Sequence, residues 1–166
     1  MSRESLARRQ AELVSALMDG RPAPAGFDRH HLRAAAASLR SKRARAIART
    51  WPRLARALGP AFDAALERHV RERPSPHPSG ALGDGRALAR ALAAEGGLPW
   101  EARLELLGVE LRHRWPADGR RLPRRVGAAL AWRPSPATLV AAVRLPVAGE
   151  RWLHVSLAHR PRVLLG

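Results

Sequence analysis

Apolar residues recur at helical intervals through most of the chain and switch to alternation near its end. From Ser2 to Met18 the residues Leu6, Leu13, Val14, Leu17 and Met18 keep helical spacing, and Gly20 stands where a left-handed cap would close that helix. The linker RPAPAGF follows. Asp28 then offers a carboxylate to the orphan backbone N–H groups of a second helix running to about Thr50. Trp51-Pro52 interrupts it, because proline has no N–H and suits a first turn, so a short helix from Pro52 to Leu58 is expected. Gly59-Pro60 repeats the device. The next helix bears Phe62, Leu66 and Val70 on one stripe and dissolves in RPSPHPSG. An alanine-rich helix in ALGDGRALARALAAEGG ends at Gly96-Gly97, with Gly83-Asp84-Gly85 a turn or helix start. A stronger helix in LPWEARLELLGVELRHRW carries a core stripe of Trp100, Leu104, Leu107, Leu111 and Trp115.

After the polar link PADGRRLPRR the alternation begins. Val126, Ala128, Leu130 and Trp132 share one face of a first strand. Leu139, Ala141, Val143 and Leu145 share one face of a second, and Leu153, Val155 and Leu157 follow the turn PVAGE. Three such strands make an antiparallel meander too small to stand alone, and the helix bearing Trp100 and Trp115 is its expected support. The fold class is therefore α+β, a mainly helical N-terminal bundle followed by a small C-terminal β-meander. The expected division is a helical module over residues 1–74 and, packed on it, a helix pair with the sheet over 75–166.

Composition narrows the chemistry. The chain has 166 residues, long enough for a real core, and no cysteine, which excludes disulfides, cysteine zinc sites, iron–sulfur ligation and thiol nucleophiles. Its 30 Lys+Arg against 14 Asp+Glu give a net charge of +16. Lys42 is the one lysine among them. Arginine in place of lysine reflects a GC-rich coding bias, but the shortage of acids does not, and it implies an acidic partner or a strong pull on anions. The amphipathic N-terminus reads as a helix and not a signal peptide, and no apolar run approaches a membrane span, so a cytoplasmic protein is expected.

On the second helix Leu32, Ala35, Ala36, Leu39, Ala46, Ile47 and Thr50 share a face, while Arg33, Arg40, Lys42, Arg45 and Arg49 ring the remainder as a basic, solvated surface. Arg43 is the exception. It falls in the middle of the apolar face, where an unpaired guanidinium costs several kcal/mol, so it must pair with a carboxylate, snorkel to solvent or dock a partner, pairing being the leading expectation. Asp63, Glu67, Glu101 and Glu105 are conceivable mates. None of the seven histidines has ligand-pair spacing. His30 and His31 point apart, His69 lies on the Phe62 stripe as a hydrogen-bonded core histidine, and His113 is expected to be exposed. His154 sits between Trp152 and Ser156 on the second face of the last strand, an ordinary sheet surface, with His159 just beyond. No G-x-S-x-G elbow, phosphate-cradling glycine loop or H-E-x-x-H helix occurs, and neither a catalytic nor a metal centre is expected.

The stretches RQAELVSALMDGRPAPAGFD and LRAAAASLRSKRARAIARTWPRLARALGPAFDAAL resemble the helical N-terminal module of the HvfC/BufC proteins. The shared pattern is Trp51, Pro52, Gly59 and Phe62, which read as helix-junction and core positions. The tail from Leu98 is similar to the C-terminal part of a shorter actinobacterial branch. FDRHHLRA replaces the family's Tyr-Arg-x-Asn segment, so contacts made through that segment do not carry over. An older label of the family is DNA-binding. The resemblance implies a partner protein of multinuclear non-heme iron oxidases that modify ribosomally made peptides.

The leading expectation is thus a non-catalytic adaptor, without a cofactor of its own, that binds such an oxidase and presents an acidic precursor (leader) peptide. An exposed strand edge could add the peptide as a further strand, with Arg144, Trp152 and His154, or the docking of Arg43, giving selectivity. The alternative is a DNA-binding transcriptional regulator using the basic helical surface. An enzyme assembled from scattered histidines, His69 or His154 among them, is the third.

Overall fold

A computed structural model describes residues 2–19, 24–73 and 76–156. The element order is α1 (Arg3–Asp19), α2 (Arg29–Thr50), α3 (Pro52–Leu58), α4 (Ala61–Glu72), α5 (Gly80–Ala94), α6 (Trp100–Arg112), β1 (His113–Arg114), β2 (Leu122–Pro123), β3 (Gly127–Pro134), β4 (Ala137–Leu145) and β5 (Gly149–Ser156). The chain is α+β, mainly helical and then strand-rich. It forms two compact units, Met1–Leu88 and Ala89–Gly166, divided within α5.

In the first unit the local signals act as expected. Asp28 caps α2 by accepting from the backbone N–H groups of His30 at 2.6 Å and His31 at 3.3 Å. Pro52 opens α3, and Gly59 closes it with a positive φ of 52° that glycine adopts without strain. Ala36, Ile47, Trp51, Leu54, Phe62 and Leu66 are buried. The cap expected at Gly20 lies outside the described residues.

The second unit rests on α6. This helix buries Ala102, Leu106, Gly108, Val109 and Leu111, whereas Trp100, Leu104 and Leu107 are half-buried. It ends at Arg112, short of the expected Trp115. Proline at 116 disfavours a helical Trp115, and the backbone is already extended at His113. The end of the expected helix and part of the expected link pair instead as a two-stranded arm, in which His113 pairs with Pro123 and Arg114 with Leu122. The N–H of Arg124 donates to the carbonyl of Arg112 at 2.8 Å and so satisfies one of the helix's last acceptors.

The antiparallel sheet has the order β3-β4-β5 and packs on α6. Its register places Ala128, Val143 and Arg151 in one row, Leu130, Ala141 and Leu153 in the next, and Trp132, Leu139 and Val155 in the third. This large, apolar face is turned away from the helix: Leu130 is 65% exposed, Leu153 62% and Trp132 49%. The face that packs is the other one, where Ala131, Thr138, Val140 and Ala142 are buried. Small residues allow close approach. A Cβ at Gly108 would lie 3.4 Å from the Trp152 ring, and one at Gly127 3.1 Å from the Leu111 side chain. Leu157, expected to extend the third strand, lies outside the described residues.

Candidate functional site

Arg43 does meet a carboxylate, but none of the four expected. Its Nε donates to Asp84 Oδ2 at 2.9 Å and its Nη2 to Asp84 Oδ1 at 2.7 Å. The two side chains are 12% and 5% exposed, so the fork-on-fork pair is buried and ties α2 to the first turns of α5. Asp84 Oδ1 also accepts from the backbone N–H of His77 at 2.9 Å. His77 in turn accepts at Nδ1 from the Ser79 N–H at 3.1 Å. The flanking glycines explain why the pair can form: a Cβ on Gly83 would enter the His77 ring, and one on Gly85 the Trp51 indole. Trp51 itself is fully buried and donates through Nε1 to the carbonyl of Leu82 at 3.1 Å.

His69, buried as expected, faces this cluster. Burial holds it below the ordinary histidine range, and the guanidiniums of Arg73 and Arg43 push the same way, against Asp84 and Glu72. It is therefore neutral at pH 7. Between them, α2 and α4 enclose a groove of about 390 Å³ whose walls include Arg40, Arg45, Asp63 and Glu67 over Phe62 and Leu66. Arg33, Lys42 and Arg49 are exposed on the same α2 helix. Pro52 and Gly59 serve the α3 junction, and Phe62 the core.

In the second unit Arg144 and Trp152 are brought to one face of the sheet, together with His154, which is exposed. Arg144 is tied down twice: Nε donates to the Arg124 carbonyl at 2.9 Å and Nη1 to Glu150 Oε1 at 2.7 Å. Glu150 Oε2 accepts from Arg112 at 3.3 Å, so one carboxylate answers two arginines. Trp152 lies over Gly108 of α6. His113, expected to be exposed, is half-buried, with Nδ1 3.1 Å from the Val109 carbonyl. Burial lowers its proton affinity; the backbone bond opposes this, and Arg121, Arg112 and Arg144 add to it. Arg133 places its guanidinium carbon 5.2 Å from the centre of the Trp100 ring.

The candidate residues therefore fall into two groups. Arg43 and the α2 arginines belong to the first unit, and Arg144, Trp152 and His154 to the second. Sequence reasoning missed Asp84 and Glu150. The signal for Asp84 was the Gly-Asp-Gly triplet itself, since glycines on both sides of an acid mark a place where other groups come close. Among the described residues no three His, Asp or Glu side chains come together as a metal site, and no helix is long and apolar enough to cross a membrane.

Neither the curated proteins nor the solved structures gave a match. A family model does match, over residues 7–94, which span α1 to α5 and hold Trp51, the Gly-Asp-Gly triplet and the buried Arg43–Asp84 pair. The chain belongs to the SCO6045-like, C-terminal domain family.

Proposed function

We propose that this protein is a partner subunit that binds an iron-dependent peptide-modifying oxidase and holds its precursor peptide, while the oxidase carries the iron and the chemistry. The resemblance to the HvfC/BufC proteins suggests the role. The observation that carries it here is β5, which among the described residues pairs with β4 alone and leaves its other edge unused. A peptide laid along that edge gains backbone hydrogen bonds, and Trp152 and His154 on the strand supply side-chain contacts that choose among sequences. With net charge +16 the protein attracts an acidic leader.

The test is purification of the tagged protein from its native host at moderate salt. Co-elution of a metal-bearing oxidase, with iron assigned to that subunit, supports the reading. Stoichiometric iron on this chain alone, turnover by the isolated chain, or no associated oxidase sinks it. A second reading, a DNA-binding regulator, draws on the exposed cations Arg33, Arg40, Lys42, Arg45 and Arg49 spread around α2.

A further inference from the structure

The outer face of the sheet is a different surface from the β5 edge. Leu130, Trp132, Leu153 and Val155 meet there in adjoining rows, each more than a third exposed. Soluble monomers rarely leave so continuous an apolar patch without a use for it. The charge around it is one-sided. Arg151 is the ionisable group within the three rows and has no carboxylate partner among the described residues. Glu150 is the single acid on β3–β5, and it is turned to the opposite face and held by Arg112 and Arg144.

From this juxtaposition we infer that the outer face docks an acidic amphipathic helix of a partner protein. An apolar stripe would cover Leu130, Trp132 and Leu153, and flanking carboxylates would reach Arg151. The sheet already accepts α6 on its other face, so a second helix completes a layered packing that three strands suit. A second copy of this chain fits less well, because its own outer face brings another Arg151 and no carboxylate. The inference stands apart from the oxidase reading and concerns any partner that presents such a helix.

The experiment uses the full chain and three labelled peptides of about 18 residues, roughly five helical turns. One is an amphipathic Leu/Glu helix, one its Leu/Lys counterpart and one a scrambled Leu/Glu sequence. Fluorescence anisotropy should show saturable binding of the Leu/Glu helix and not of the other two, with a blue shift of tryptophan emission. Leu130→Glu with Leu153→Glu should weaken binding about tenfold or more, the loss expected when central contacts are removed. Arg151→Glu should weaken the Leu/Glu peptide and admit the Leu/Lys one, and its exposed position keeps the test open if the leucine variant fails to fold. The inference is overturned if the Leu/Glu and Leu/Lys helices bind alike or neither binds. It is overturned equally if the protein sediments as a dimer that Leu130→Glu makes monomeric, or if the face binds only phosphatidylglycerol vesicles.

Discussion

Arg43 shows how much one helical position can dictate. Its place between Leu39 and Ile47 required a partner, because a buried guanidinium without one is too costly to keep. The partner's identity was hidden, since Asp84 lies 41 residues further on, in a triplet that looks like a turn. Removing one member leaves the other charge uncompensated, so Arg43→Ala should cost about 3–5 kcal/mol in urea unfolding. Arg43→Met with Asp84→Leu should cost less than the two single changes summed. His69 gives a pH prediction. Its folded proton affinity is lowered by burial and by nearby guanidiniums, so the unfolded chain takes the proton more readily. Stability is then complete above about pH 6.5, the unfolded value, and is lost as pH falls toward the folded one. Denaturant melts between about pH 7.5 and 5.5 should show that loss, and His69→Gln should reduce it to the part that His113, lowered in the same direction, contributes.

At the scale of elements, boundaries were legible where a single residue fixes them, as with the Asp28 cap and the Pro52 start of α3. They were not legible where pairing between segments competes with helix formation. The last residues of the expected sixth helix were taken by the β1–β2 arm, which offers them backbone partners in Leu122 and Pro123. The α6–sheet contact can be tested at Gly108. Its added Cβ would meet the Trp152 ring at 3.4 Å and the flexible end of Arg112 at 3.3 Å, so alanine fits with little movement. Gly108→Ala should be neutral or stabilise by up to about 1 kcal/mol through helix propensity. Gly108→Leu should destabilise by about 1–3 kcal/mol by forcing the sheet away. Thermal melts followed by tryptophan fluorescence would read both.

For the whole molecule, net charge +16 guarantees some attraction to any polyanion, whatever the function. Binding to duplex DNA through six or more phosphate contacts should fall by a factor of about 10³ or more between about 50 and 200 mM salt. Gel shifts with competitor DNA would check this. Sequence-selective retention at the higher salt would favour the regulator reading, because counterion release alone gives no such retention.

What the sequence determined was local: where helices begin, where proline and glycine break them, where the period turns to alternation, and that Arg43 could not stay alone. Only the tertiary structure decided which carboxylate answers Arg43 and which face of the sheet is covered. Alternation says that a strand has two faces, but not which one a helix will choose. Here α6 sits on the face of alanines, Thr138 and Val140, opposite its own Gly108, because small side chains let backbones approach closely. The larger apolar face was left for solvent or a partner.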